Sequence, residues 1–229
     1  MNEILEGFVQ AIYLIITLDP DVLQITSLTL EISIISTLIA IIISIPIANL
    51  IFFKEFKGKG FIINIVQTLY SLPTVLVGLI CFLLLSHSGP LGFLDLLFTP
   101  EGMVIGQTIL ILPIIIGLTI SSLNGVSVEK GDLIWSLGAS SIQKVLAIMH
   151  EAKFAILSAM ALGFGRAISE VGVAMMIGGN INGYTRVITT TMSLETQIGN
   201  VSFSIALGII LLSLALIVNT VINRFQVSE

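Results

Sequence analysis

Long stretches without a single charge constrain this chain more than any other feature. Residues 32–53, 61–86, 102–123 and 203–222 contain no Asp, Glu, Lys or Arg. A fifth stretch, 154–179, is equally apolar but holds Arg166 and Glu170. A helix needs about 20 mostly apolar residues to cross a bilayer, and each stretch meets that length. Backbone polar groups in lipid must be satisfied within the element, which predicts helices. No segment shows the repeated ten-residue alternation of a membrane barrel. Charged residues make up 10% of the 229, too few to keep a folded surface in water, where about 25% is usual. A soluble enzyme is excluded on that ground. A net charge of −5 with no basic run argues against nucleic-acid binding. One cysteine, Cys81, and two histidines, His87 and His150, leave little material for a metal site. The expectation is one all-α integral membrane domain over residues 1–229.

Loop charges predict its orientation. Lys54, Lys57 and Lys59 follow the first stretch, Lys130, Lys144 and Lys153 follow the third, and Arg224 follows the last. The alternate loops carry Arg186 alone. Positive residues stay inside, so the lysine-bearing loops and the C-terminus are expected in the cytoplasm. Residues 4–18 are short for a span. Ile4, Phe8, Ile12 and Ile15 share one helical face, apart from Glu3, Glu6, Gln10 and Tyr13. That pattern suits an interfacial helix within an external segment 1–21. A sixth span is the alternative, and the charge pattern fits both.

Pro46, Pro73 and Pro113 fall inside apolar stretches, where each removes a backbone hydrogen bond and predicts a kink. Around Pro73, the polar side chains of Thr68, Ser71 and Thr74 call for a wet or protein-lined face. Arg166 lies about 18 Å along the helix from Phe154, near mid-membrane. Glu170 is four residues on, so the two share a face and can pair. The pair serves either as a structural lock or as part of a pathway, and the residues alone leave both open. Gly163, Gly165 and Gly172 permit close helix packing.

The segment 124–153 is a long loop with structure of its own. Residues 129–137 and 141–149 read as two short helices separated by Gly138-Ala139-Ser140. Ile134, Leu137, Ile142, Val145 and Ile148 form an apolar face too large to leave in water. The membrane domain or a cytoplasmic partner must cover it.

This loop resembles the signature of ABC importer permeases: E-A-A, three residues, Gly, nine residues, then I-x-L-P. Asp132-Leu133-Ile134 occupies the first position, Gly138 follows six after Asp132, and Ile148 ten after Gly138. Leu137-Gly138-Ala139-Ser140 is the family's usual L-G-A-S. The chain departs from the pattern at Asp132 for Glu, at Leu133-Ile134 for Ala-Ala, and at His150-Glu151 for Leu-Pro. Arg166-Ala167-Ile168-Ser169-Glu170-Val171-Gly172 resembles the R-x-[IL]-[SG]-E-[FV]-G element of molybdate, tungstate and sulfate permeases. Ser71-Leu72-Pro73-Thr74-Val75-Leu76-Val77-Gly78 resembles their second conserved span. Gly178-Gly179-Asn180, Gly183-Tyr184-Thr185-Arg186 and Thr189-Thr190-Thr191 are most similar to the tungstate group.

The resemblance implies five spans, or six if residues 4–18 also cross, in the fold of binding-protein-dependent ABC importer permeases. It implies a homodimer in a prokaryotic cytoplasmic membrane, a cytoplasmic ATPase dimer and an external solute-binding protein. Asp132, Leu137, Gly138, Ala139 and Ser140 would form the ATPase-coupling helix. Thr68, Ser71, Thr74 and Ser169 would hand an oxyanion along, with Pro73, Arg166, Glu170 and Gly172 shaping the gate. Tungstate is the expected substrate, with molybdate or sulfate as alternatives. The chain has no G-x-x-x-x-G-K-[ST] phosphate loop; Gly58-Lys59-Gly60 lacks its spacing and hydroxyl. ATP and Mg therefore belong to the partner ATPase, and no cofactor is expected here. A secondary transporter using Arg166 and Glu170 is a rival reading, though no duplicated half is apparent. An intramembrane hydrolase is a weaker rival, because neither histidine is expected at membrane depth.

Overall fold

The computed structural model describes residues 2–126 and 140–227, and among these no strand occurs. The helices are α1 (Asn2–Thr17), α2 (Pro20–Phe53), α3 (Lys59–Thr68), α4 (Thr74–Leu85), α5 (Pro100–Asn124), α6 (Ser141–Glu151), α7 (Lys153–Ile168), α8 (Ile188–Gln197) and α9 (Val201–Val227). A 3-10 turn, Leu69–Ser71, extends α3, and a π-helical segment, Ala174–Gly178, follows α7.

Among the described residues, three helices are long and apolar enough to cross a membrane: Pro20–Phe53, Pro100–Asn124 and Val201–Ile222. Two bent pairs bring the number to as many as five, α3 with α4 at 99° and α6 with α7 at 65°. Helix α5 is the centre of the bundle. Its apolar window is 72% buried, against 28% for α2 and 22% for α9, whose outer faces are left for lipid or other subunits. It packs on α2, α3, α4 and α7.

Local chemistry sets the helix ends. Asp19 caps α2 by accepting from the amides of Asp21 and Val22, each at 3.1 Å, and Pro20 takes the first-turn position where its missing N–H costs nothing. At the other end Lys59 Nζ donates to the Phe52 carbonyl at 2.7 Å and pairs with Glu55 at 2.8 Å. Gly58, at φ 95°, makes the turn between them. Thr99 caps α5, again with a proline in the first turn.

The prolines behave differently from one another. Pro46 and Pro113 lie within continuous helices, whereas the chain breaks at Leu72-Pro73. Leu72 is held extended at ψ 128°, as steric clash with a following proline ring favours, and α4 restarts at Thr74.

The expected apolar stripe of α1 faces away from the protein, and a different face packs inward. Ile4, Phe8, Ile12 and Ile15 are exposed, and Ala11 and Leu14 are buried. Gly7 lies against α9 so closely that a Cβ would come within 2.6 Å of Ile205. The small residues, not the large ones, let the two backbones approach. Glu6 accepts from the Ser202 hydroxyl at 3.4 Å along the same seam.

Between α2 and α5 a polar seam is set among apolar contacts such as Ile32 with Met103 and Ala40 with Ile111. Ser36 donates to Gln107 Oε1 at 3.1 Å, and Thr108 donates back to the Ser36 carbonyl at 3.3 Å. All three are buried, so each bond spares a polar group the cost of lying unpaired.

Candidate functional site

The stretch 154–179, expected as one continuous helix, stops at Ile168. Three side chains explain the break. Ser169 Oγ turns back to the carbonyls of Gly165 at 2.8 Å and Arg166 at 3.3 Å. Glu170 Oε1 accepts from the Val173 amide at 3.0 Å, capping the helical turns that follow. The Glu170 carbonyl, freed at the break, accepts from Thr189 Oγ1 at 2.7 Å, a bond that ties α8 to this point.

Arg166 and Glu170 form the expected pair, with Nη1 and Oε2 3.2 Å apart. The pair is lopsided. The Glu170 side chain is 1% exposed and the Arg166 side chain 37%. Oε2 accepts no hydrogen bond, so its charge is balanced by proximity to the guanidinium alone. The rest of the guanidinium opens into a 530 Å³ cavity lined by Ser158, Gly165, Ser169 and, from α9, Asn219. A 690 Å³ cavity, lined by Ser121, Ser122, Gly125 and Glu151, shares Ser158 and Leu162 with it. A hydroxyl-bearing groove therefore runs from the end of α5 to Arg166.

The two breaks touch. A Cβ on Gly172 would lie 2.6 Å from Thr74 Oγ1 and 3.0 Å from the Val75 amide nitrogen. One on Gly78 would lie 3.2 Å from the Gly172 carbonyl oxygen. The first turns after the break at Pro73 and after the break at Glu170 thus pack face to face, with Gly78 and Gly172 allowing the close approach.

Of the residues singled out in the sequence, the structure brings Thr74 to Gly172 and Arg166 to Glu170, and sets Ser169 on the cavity wall. Thr68 and Ser71 are exposed elsewhere, and the Thr68 hydroxyl is turned back to the Asn64 carbonyl at 2.8 Å. Pro73 marks the bend. Asp132, Leu137, Gly138 and Ala139 lie outside the described residues. Ser140 caps α6, accepting from the Gln143 amide at 3.4 Å while its own N–H donates to Gln143 Oε1 at 2.8 Å. Beyond this cap, Ile148 is buried against Leu123, Ala152 and Ile156, whereas Ile142 is 74% and Leu146 61% exposed.

Three contributors were not anticipated from sequence. Asn219 was legible as a lone amide in the last apolar stretch, since polar groups within spans mark cavities or partners. Thr189 was not, because its bond to Glu170 depends on tertiary placement. Nor was Tyr70, whose hydroxyl fills the space where a side chain at Gly117 would stand.

The chain is similar to several known proteins over almost its whole length. It is 41% identical to the Tungstate uptake system permease protein TupB of Campylobacter jejuni, over 99% of this chain and 95% of that one. It is 38% identical to the protein of the same name from Peptoclostridium acidaminophilum, over 99% of each. It is also 38% identical to a Probable anion ABC transporter permease protein of Haloferax volcanii, over 89% of this chain and 90% of that one. No family model matches the chain.

Proposed function

The chain belongs to the permease subunits of ABC transporters, and we propose that it is the membrane subunit of an importer that carries tungstate into the cell. The near-full-length likeness to two tungstate uptake permeases carries this reading. It works as a homodimer in a prokaryotic cytoplasmic membrane, with its C-terminus inside. A separate ATPase dimer binds ATP and Mg in the cytoplasm, and an external binding protein delivers the anion. This subunit has no ATPase site of its own.

The segment 124–153 is the coupling loop, with Asp132, Leu137, Gly138, Ala139 and Ser140 at the ATPase contact. The exposed Ile142 and Leu146 give that contact an apolar edge. A 65° bend joins α6 to α7, so a pull on the loop is passed to the helix that carries Arg166. The groove from Ser121 to Ser169 is the inner half of the path. Its walls set the hydroxyls of Ser121, Ser122, Ser158 and Ser169 and the half-neutralised Arg166 guanidinium among apolar side chains, with the Glu151 carboxylate at the inner end, a lining that holds a dianion weakly enough to release it. Thr74 and Gly172, where the two breaks meet, form the constriction above. Thr68 and Ser71 belong to the surface that the partner copy completes.

The reading is tested by expressing the chain with its ATPase and binding protein and measuring cellular tungsten. Accumulation that stops when the ATPase phosphate-loop lysine is replaced supports it. Uptake of molybdate or sulfate in place of tungstate would correct the substrate, and uptake without a working ATPase would overturn the importer reading.

A further inference from the structure

We propose that Arg186 is a receiving site for a tetrahedral oxyanion at the outer mouth of the path. The site rests on the importer reading for its orientation and is otherwise argued from the loop itself.

The loop is tightly built. The Thr185 hydroxyl donates to the Gly178 carbonyl at 2.5 Å and accepts from the Ile181 amide at 3.0 Å. Gly179, Asn180 and Gly183 turn through positive φ of 70°, 53° and 74°. Gln24 of α2 pins the tip by donating to the Gly183 carbonyl at 3.1 Å. The loop holds the half-buried Arg186 guanidinium, whose Nη1 donates to Asn182 Oδ1 at 3.2 Å and Nη2 to the Asn180 carbonyl at 3.4 Å.

Both acceptors are neutral. Lys59 has Glu55 and Arg166 has Glu170, but among the described residues no carboxylate pairs with Arg186. Its Nε–H and the Asn180 Oδ1 are shut from water and without a hydrogen-bond partner. The more accessible Nη1 and Nη2 meet only neutral acceptors, so an anion there would gain charge-assisted hydrogen bonds from a partly desolvated cation. The loop-charge orientation puts Asp19, Asp21, Asp95, Glu101 and Glu195 on the same outer side as Arg186. Arg186 is the lone Lys or Arg of the loops on that side, and its planar guanidinium fork suits a tetraoxo anion. The position also leads inward. Three residues after Arg186, Thr189 bonds the Glu170 carbonyl at the break in the gate.

The first test needs no variant. The wild-type permease–ATPase complex, in sealed proteoliposomes, is treated from outside with the arginine reagent phenylglyoxal. Modification of Arg186 is then read by peptide mass spectrometry. Millimolar sodium tungstate should slow it about fivefold or more relative to sodium chloride of equal ionic strength. Equal rates in the two salts would overturn the site. The second test compares uptake by Arg186→Gln and Arg186→Lys complexes supplied with loaded binding protein. Gln should lower the rate about tenfold and Lys should restore part of it, because the charge survives while the fork does not. If Lys is as poor as Gln, Arg186 is a loop staple and the proposal fails. If wild type carries molybdate instead of tungstate, the substrate reading fails, and the same comparisons with molybdate still decide on Arg186.

Discussion

Gly172 meets Thr74 where the two broken spans face each other, with room for a hydrogen on Gly172 and nothing larger. An added Cβ would lie 2.6 Å from Thr74 Oγ1, inside any tolerated contact. The neighbouring Val75 amide nitrogen, at 3.0 Å, cannot give way without moving α4. Close backbone approach at this point depends on the glycine, as it does at small-residue helix crossings generally.

Gly172→Ala should therefore destabilise the permease by about 1–3 kcal/mol through overpacking. Adding Thr74→Ala removes the nearest obstructing atom and should recover part of the loss. Thermal unfolding of the single and double variants in detergent measures this coupling. Strict additivity would contradict the contact.

The lopsided burial of the ion pair predicts lopsided mutants. Arg166→Gln leaves a carboxylate that is 1% exposed with only the Val173 amide to satisfy it, a loss of about 3–5 kcal/mol. Glu170→Gln keeps an acceptor for Val173 and leaves a guanidinium that the cavity can hydrate, so it should cost less. The double variant should be more stable than Arg166→Gln alone. Melting temperatures in that order support the pair as drawn, and equal losses from the two single variants contradict it.

Thr189→Val removes the 2.7 Å bond to the Glu170 carbonyl and should cost about 1 kcal/mol. Because that bond ties α8 to the break, transport should fall further than stability does. Uptake rate divided by the amount of folded protein reports the difference. A proportional loss of both would mean that the bond only stabilises.

Much of this was legible in the sequence, and the limits have physical causes. The apolar stretches predicted the helices because lipid imposes one rule on every backbone group. Arg166 and Glu170 predicted their own pairing because helical spacing is local. The break at residues 169–171 was missed because nothing in an apolar run shows where a serine will turn back on its own helix. The contact of α1 with α9 could not be read from hydrophobicity, which marks the large residues of the outward stripe, while the contact uses Gly7 and Ala11. Pro46, Pro73 and Pro113 are alike in sequence, yet only Pro73 breaks its span. That outcome is set by what surrounds each proline. The joining of Thr189 to Glu170 and of Tyr70 to Gly117 required the fold.

Helix α6 separates anchoring from docking. Ile148→Ala should destabilise the permease by about 2–5 kcal/mol, because its side chain is buried against Leu123 and Ile156. Ile142→Asp and Leu146→Asp alter exposed residues and should leave the melting temperature near wild type. They should reduce the amount of ATPase that co-purifies. Full recovery of the ATPase with both aspartates in place would remove α6 from the docking surface.

As proposed above, this chain forms the path of an ATP-driven tungstate importer. The most direct test is uptake of tungstate into proteoliposomes containing the purified permease–ATPase complex, with loaded binding protein outside and ATP enclosed. Accumulation should need both ATP and the binding protein. Accumulation that persists without ATP, or none in a complex whose ATPase is stimulated by the loaded binding protein, would contradict it.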